Sequence, residues 1–173
     1  MFFSTPWLVS MFLPALIVAA AAAVTYALLY AATKKTAPPT KKLLFTAAFF
    51  GYIFLVINVT ILFRPPVFGG SIELNPFASY LRALRATGRL NYIEIRNLVL
   101  NVAMFVPLGI LLPAAHKSLR KFYITMPIVM LATIAIETTQ LLTHRGIFAT
   151  EDILHNAVGG ALGYLFFKIF KKP

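Results

Sequence analysis

Five apolar runs, each close to the length of a membrane-crossing helix, constrain this chain more than any other feature of its sequence. A hydrocarbon layer about 30 Å thick is crossed by roughly 20 residues of α-helix, because each residue rises about 1.5 Å. Hydrophobic residues make up 60% of the chain, charged residues 12%, and the mean hydropathy is +0.82. A β-barrel is not expected, since its strands would show as many alternating segments of about ten residues. The sequence therefore predicts an integral membrane protein.

The predicted fold is all-α, a polytopic membrane helical bundle that forms one domain over residues 1–173. Its five transmembrane helices are expected at residues 7–32, 43–63, 92–115, 122–143 and 152–170. Between the second and third of them, Asn75-Pro76 is typical of an N-cap followed by proline at the first helical position. This pattern predicts a short interfacial amphipathic helix over residues 76–87, with its apolar side toward the membrane. The first run is expected to stay in the protein, because no Lys or Arg precedes it as in a signal peptide.

Charges divide unequally between the two ends of such a bundle. One face carries ten positive residues and no acid, whereas the other carries six arginines offset by four carboxylates. Membrane proteins keep the more positive loops in the cytoplasm. We therefore predict that the amino terminus lies outside the cell and the carboxyl terminus in the cytoplasm.

An ionisable residue, Glu137, lies inside the fourth apolar run. Burying a carboxylate in lipid costs at least about 3 kcal/mol, so such a residue is read as functional by default. The start of the third helix, the end of the fourth and the start of the fifth share one depth. At that depth Asn101, Glu137 with Gln140, and Asp152 with Asn156 lie on polar helix faces, because residues three or four apart are neighbours on a helix. The sequence thus predicts a polar cluster at the outer end of the bundle.

Several of these residues carry a resemblance to a known family. They fall in NLVLNVAMFVPLGILLP from Asn97 to Pro113, in Glu137 to Gln140, at Arg145, and in EDILHNAVGGALGY from Glu151 to Tyr164. Together these segments resemble the VanZ-like family of bacterial membrane proteins, named for a member associated with resistance to the glycopeptide teicoplanin. The resemblance covers about residues 72–167 and includes a loop element at Leu74-Asn75-Pro76-Phe77.

The resemblance implies a set of signature residues and a location in the bacterial plasma membrane, but no settled reaction. The signature positions are Asn101, Pro107, Gly109, Glu137, Gln140, Arg145, Asp152, Asn156 and Gly159. Two positions depart from the family's pattern. Ala149 and Thr150 follow Phe148 where an acidic residue is frequent, and His155 stands where an apolar residue is common.

The main functional hypothesis is an outward-facing site that binds an anionic envelope molecule, either a lipid-linked cell-wall precursor or the antibiotic itself. In this hypothesis Arg145 and Arg96 hold the anion, because arginine forms bidentate contacts with phosphate and carboxylate. Glu137 and Asp152 act as base or orienting groups. The remaining ligand-binding candidates supply amide or imidazole hydrogen bonds and are Asn101, Gln140, Asn156 and His155. The expected partners also include membrane lipids, and no nucleic acid.

Three alternatives stay open on the sequence alone. In the first, the protein is an enzyme that modifies a lipid-linked phosphate or the antibiotic, with Glu137 and Asp152 as its catalytic residues. In the second, the polar residues are a structural network that only joins the helices. In the third, the protein is a carrier, which would need a polar path or inverted repeats that the sequence lacks. No metal or other cofactor is expected, because the chain has no cysteine and no paired histidine spacing.

Overall fold

The computed structural model describes residues 5–67, 70–81 and 92–171. These residues form five long helices: α1 Thr5–Lys34, α2 Thr40–Ile57, α3 Tyr92–Ala115, α4 Phe122–Leu142 and α5 Thr150–Phe170. A π-helical turn, Asn58–Leu62, continues α2, and a 3₁₀ turn, Lys117–Arg120, precedes α4. The all-α prediction is confirmed, and the helix bounds lie within a few residues of the predicted spans.

All five helices are long and apolar enough to cross a membrane. Many of the side chains on their outer surfaces are large and apolar. The side chain of Phe170 in α5 is 76% exposed and that of Leu142 in α4 is 73% exposed. Large hydrophobic groups in such numbers would be unfavourable in water, since monomeric soluble proteins rarely expose wide apolar patches. The chain is therefore a multi-pass membrane protein, as predicted.

The chain divides into two compact units, unit 1 at Met1–Phe63 and unit 2 at Arg64–Pro173. In unit 1, α1 packs against α2 through small residues. A Cβ added at Gly51 would lie 2.9 Å from the Cβ of Ala19 and 3.3 Å from the carbonyl oxygen of Ala15. Close approach at these positions brings the two apolar helices into contact. The single domain expected from the sequence stays a prediction.

In unit 2, glycines bring α5 against the backbone of α3. A Cβ at Gly159 would lie 2.1 Å from the carbonyl oxygen of Val102, and one at Gly163 would lie 2.0 Å from that of Val106. Both distances are far below any normal carbon–oxygen contact, so only glycine fits at these two positions. Gly159 and Gly163 form a Gly-x-x-x-Gly pattern, a spacing that permits close helix packing in lipid.

The loop that opens unit 2 is joined to the turn between α4 and α5. Strand β1, Ile72–Glu73, pairs in parallel with strand β2, Phe148–Ala149. Next to this pair the N–H of Phe148 donates to the carbonyl oxygen of Ser71 over 3.0 Å. The loop is thereby held at the end of unit 2 where α4 finishes and α5 begins.

The predicted interfacial helix is described only in its first turn. Residues 78–81 are helical, and the N–H of Phe77 donates to Oδ1 of Asn75 over 3.0 Å. The structure thus confirms Asn75 as the N-cap. Residues 82–87 of the predicted helix lie outside the described residues.

Candidate functional site

We define the polar end of unit 2 as the start of α3, the end of α4 and the start of α5. The chain has an unusual conformation where α4 ends. His144 follows α4 with a φ of 54°. The N–H of Arg145 donates to the carbonyl oxygen of Gln140 over 2.8 Å, and that of His144 to Leu141 over 3.2 Å. This is the Schellman pattern, in which the left-handed residue is most often glycine. It reverses the chain and directs residues 145–149 back over the end of α4.

Glu137 is buried at this end, with 2% of its surface exposed. Its Oε2 accepts a hydrogen bond from the backbone N–H of Ala149 over 3.1 Å. Ala149 ends β2, so the returning chain supplies the partner. The carboxylate therefore fixes the turn between α4 and α5 from inside the bundle.

Arg64 lies near this carboxylate, and Arg145 contacts the backbone of Arg64. The guanidinium of Arg64 lies within electrostatic range of the carboxylates of both Glu137 and Asp152. Nη1 of Arg145 donates to the carbonyl oxygen of Arg64 over 2.9 Å. Gly146 makes room for both neighbours, because a Cβ there would lie 3.2 Å from Oε1 of Gln140 and 3.5 Å from the guanidinium carbon of Arg64. Arg64 therefore supplies a positive charge near both Glu137 and Asp152.

Hydrogen bonds between helices fix the predicted amides. Nδ2 of Asn101 in α3 donates to Oδ1 of Asp152 in α5 over 2.7 Å. One turn deeper, Nδ2 of Asn156 donates to Oγ1 of Thr133 in α4 over 2.7 Å. Asn156 is 1% exposed, and its Oδ1 has no hydrogen-bond partner among the described residues. The three helices are thus joined by polar contacts at two depths.

The loop before α3 covers the start of α5. The N–H of Ser79 donates to Oε2 of Glu151 over 3.0 Å, and the hydroxyl of Tyr80 lies 3.0 Å from Nε2 of His155. Partial burial, and after it the negative charge of Glu151, raises the pKa of Tyr80 above the usual tyrosine value. The hydroxyl therefore stays protonated at neutral pH and can donate to His155.

A cavity of about 260 Å³ lies between this loop, α3 and α5. Its wall includes three carboxylates, an amide, a phenol and an imidazole, from Glu94, Glu151, Asp152, Asn97, Tyr80 and His155. The second ring nitrogen of His155, Nδ1, has no hydrogen-bond partner within the described ranges. The cavity therefore offers several hydrogen-bond acceptors to a small polar group.

The structure brings most of the predicted site residues together. Glu137, Gln140 and Arg145 lie around the end of α4, Asn101, Asp152 and His155 lie between α3 and α5, and Asn156 lies between α4 and α5. Arg96 is half-buried, and its Nη2 lies 3.4 Å from Oδ1 of its neighbour Asn97. Within residues 5–67, 70–81 and 92–171 no group of three or more His, Cys, Asp or Glu side chains could hold a metal ion.

Sequence reasoning missed Thr133, Tyr80 and the role of Arg64. Thr133 lies four residues before Glu137 on the same buried face, so helical spacing could have identified it. Tyr80 and Arg64 reach the polar end only because the loop folds back, and no local pattern indicates that.

Comparison with known families gives one finding. The family model described as VanZ/LLP1 matches residues 49–171, which include unit 2 up to residue 171 and every residue of the polar end. Comparisons with curated proteins and with solved structures give no match.

Proposed function

Because the chain belongs to the VanZ/LLP1 family, we propose that it is a bacterial plasma-membrane protein whose polar end binds an anionic molecule of the cell envelope. The ligand is a lipid-linked cell-wall precursor or a glycopeptide antibiotic such as teicoplanin, and binding contributes to resistance. In the orientation proposed from the charge distribution, with the amino terminus outside and the carboxyl terminus in the cytoplasm, the polar end faces outward.

The cavity at the polar end is the observation that carries this proposal. A network that only joined helices would have no need of an open volume of about 260 Å³ with several polar side chains in its wall. His155 lines this cavity, and its Nδ1 has no hydrogen-bond partner among the described residues. Both features favour binding over a purely structural role.

The charges at the polar end indicate that two different groups of the ligand bind at two different places. Carboxylates of Glu94, Glu151 and Asp152 in the cavity wall repel a phosphate but accept hydrogen bonds from hydroxyl, amide or ammonium groups. The anion of the ligand therefore sits outside the cavity, near Arg96 or Arg145. Envelope precursors and glycopeptides carry both kinds of group.

Susceptibility to teicoplanin tests the proposal in cells. Expressing the protein in a susceptible host should raise the inhibitory concentration of the antibiotic, and His155→Leu should remove most of this increase. The matched control is His116→Leu, because His116 bonds to nearby Ser118 in the turn beyond α3, at the other end of unit 2. Equal effects of the two variants at equal membrane levels would contradict the proposal.

A mass measurement separates binding from catalysis. Membranes containing the protein are incubated with teicoplanin and lipid-linked precursor, and the masses of both are then followed. Binding predicts unchanged masses, whereas a new species that disappears in Glu137→Gln and Asp152→Asn would show an enzyme.

A further inference from the structure

An apolar groove lies at the opposite end of unit 2, between α3 and α5. Its volume is about 360 Å³, and it is lined by Ile110, Phe166, Phe167, Phe170 and Lys171. Phe166 and Phe170 are exposed on the apolar surface of the bundle. The groove is therefore open toward the lipid, and only one of its lining residues, Lys171, carries a charge.

Positive charge is concentrated around that lysine. Desolvation, and after it the charges of Arg120, Lys168 and Lys117, lowers the pKa of Lys171. Its Nζ lies 5.8 Å from the centre of the Phe167 ring, which faces the groove. No acidic residue lies nearby in sequence, because the chain has only five, at Glu73, Glu94, Glu137, Glu151 and Asp152. The cluster is thus an excess of positive charge next to an apolar surface.

The turn that carries part of this cluster is held in place by hydrogen bonds. The hydroxyl of Tyr164 in α5 donates to the carbonyl oxygen of Arg120 over 2.8 Å. Nε of Arg120 in turn donates to the carbonyl oxygen of Pro113 in α3 over 3.4 Å. The hydroxyl of Thr125 donates to the carbonyl oxygen of Leu119. Arg120 is therefore positioned by both α3 and α5, the two helices that border the groove.

We propose that this groove binds one anionic phospholipid, with an acyl chain along Ile110 and Phe166 and the phosphate against Lys171 and its neighbouring cations. An apolar surface adjoins a cluster of positive charge here. An anionic lipid carries an acyl chain that matches the first and a phosphate that matches the second. Basic pockets between transmembrane helices bind such head groups. A zwitterionic lipid offers no net charge to the cluster, and a soluble phosphate offers no chain. This site is separate from the polar end and does not depend on the function proposed for it.

Native mass spectrometry of the detergent-purified protein tests the site. Phosphatidylglycerol, phosphatidylcholine and glycerol phosphate are added in turn, and bound adducts are counted. Wild type should retain phosphatidylglycerol in preference to the other two. Combining Lys117→Gln, Lys168→Gln and Lys171→Gln should weaken its retention by roughly fivefold for each lysine removed. The control combines Lys34→Gln, Lys41→Gln and Lys42→Gln in unit 1, which remove the same charge and should leave retention unchanged.

A second variant tests the groove itself. Ile110→Trp fills the apolar part without changing charge, and it should reduce phosphatidylglycerol retention while the thermal unfolding temperature stays near that of wild type. Equal retention of both phospholipids, or equal losses in the lysine variant and its control, would overturn the proposal. So would binding of glycerol phosphate as tight as that of phosphatidylglycerol. If Ile110→Trp converted a dimer to a monomer and left lipid retention unchanged, the groove would instead bind a second copy of the chain.

Discussion

Side chains at the polar end make hydrogen bonds with groups on other elements, 12 to 72 positions away in the chain. Glu137 accepts from the N–H of Ala149, Asn101 donates to Asp152, and Glu151 accepts from the N–H of Ser79. In an apolar surrounding each of these groups would be costly without its partner. The same contacts therefore hold the polar end in one arrangement and give its cavity a fixed shape.

Substitutions of Glu137 separate its hydrogen bond from its charge. Glu137→Ala leaves the buried N–H of Ala149 without an acceptor and should lower the free energy of unfolding by about 1–3 kcal/mol or more. Glu137→Gln keeps an oxygen at the same place and should cost less. Thermal unfolding of both variants in detergent measures the difference, and equal losses would show that the bond to Ala149 contributes little.

At the scale of the helices, close packing was predictable and the turn after α4 was not. The Gly-x-x-x-Gly spacing indicated the contact of α5 with a neighbouring helix, because small residues at that spacing line one face. The left-handed residue after α4 is a histidine, so the usual glycine signal of a helix end is absent. The partner of Glu137 is a backbone N–H, which no pattern of side chains reveals.

Alanine at Gly159 tests the contact between α3 and α5. The added Cβ would lie 2.1 Å from the carbonyl oxygen of Val102, so the helices must separate, at a cost of about 1–3 kcal/mol in the free energy of unfolding. Gly70→Ala is the matched control, because the nearest atom its Cβ would meet is the end of the Leu141 side chain, at 3.2 Å. Unfolding temperatures in detergent compare the two, and equal shifts would show that α3 and α5 can separate without loss.

At the scale of the whole molecule, the number and type of helices followed from the apolar runs, since crossing a membrane fixes both length and polarity. The apolar runs did not predict that the loop folds over the polar end. Arg64, Ser79 and Tyr80 reach α5 through tertiary contacts between residues more than seventy positions apart. The sequence therefore identified most side chains of the candidate site but neither its cavity nor the arginine near its carboxylates.

The proposed orientation can be measured directly, because the chain has no cysteine. Leu74→Cys places a thiol in the exposed loop at the polar end, and Lys117→Cys places one in the exposed turn at the other end. An impermeant maleimide applied to intact cells should label the cysteine at position 74 and spare that at position 117 until the membrane is opened. Labelling at position 117 alone would reverse the orientation.

Binding of the purified protein to teicoplanin and to lipid-linked precursor tests the central claim most directly. The two variants to compare are Asp152→Asn in the cavity wall and Glu73→Gln, which makes the same change outside it. Calorimetric titration should give measurable affinity for at least one ligand, weakened roughly tenfold by Asp152→Asn and unchanged by Glu73→Gln, because a hydrogen bond to a charged acceptor exceeds a neutral one by about 1–1.5 kcal/mol. Absence of binding to wild type, or equal affinity of wild type and Asp152→Asn, would contradict a ligand site at the polar end.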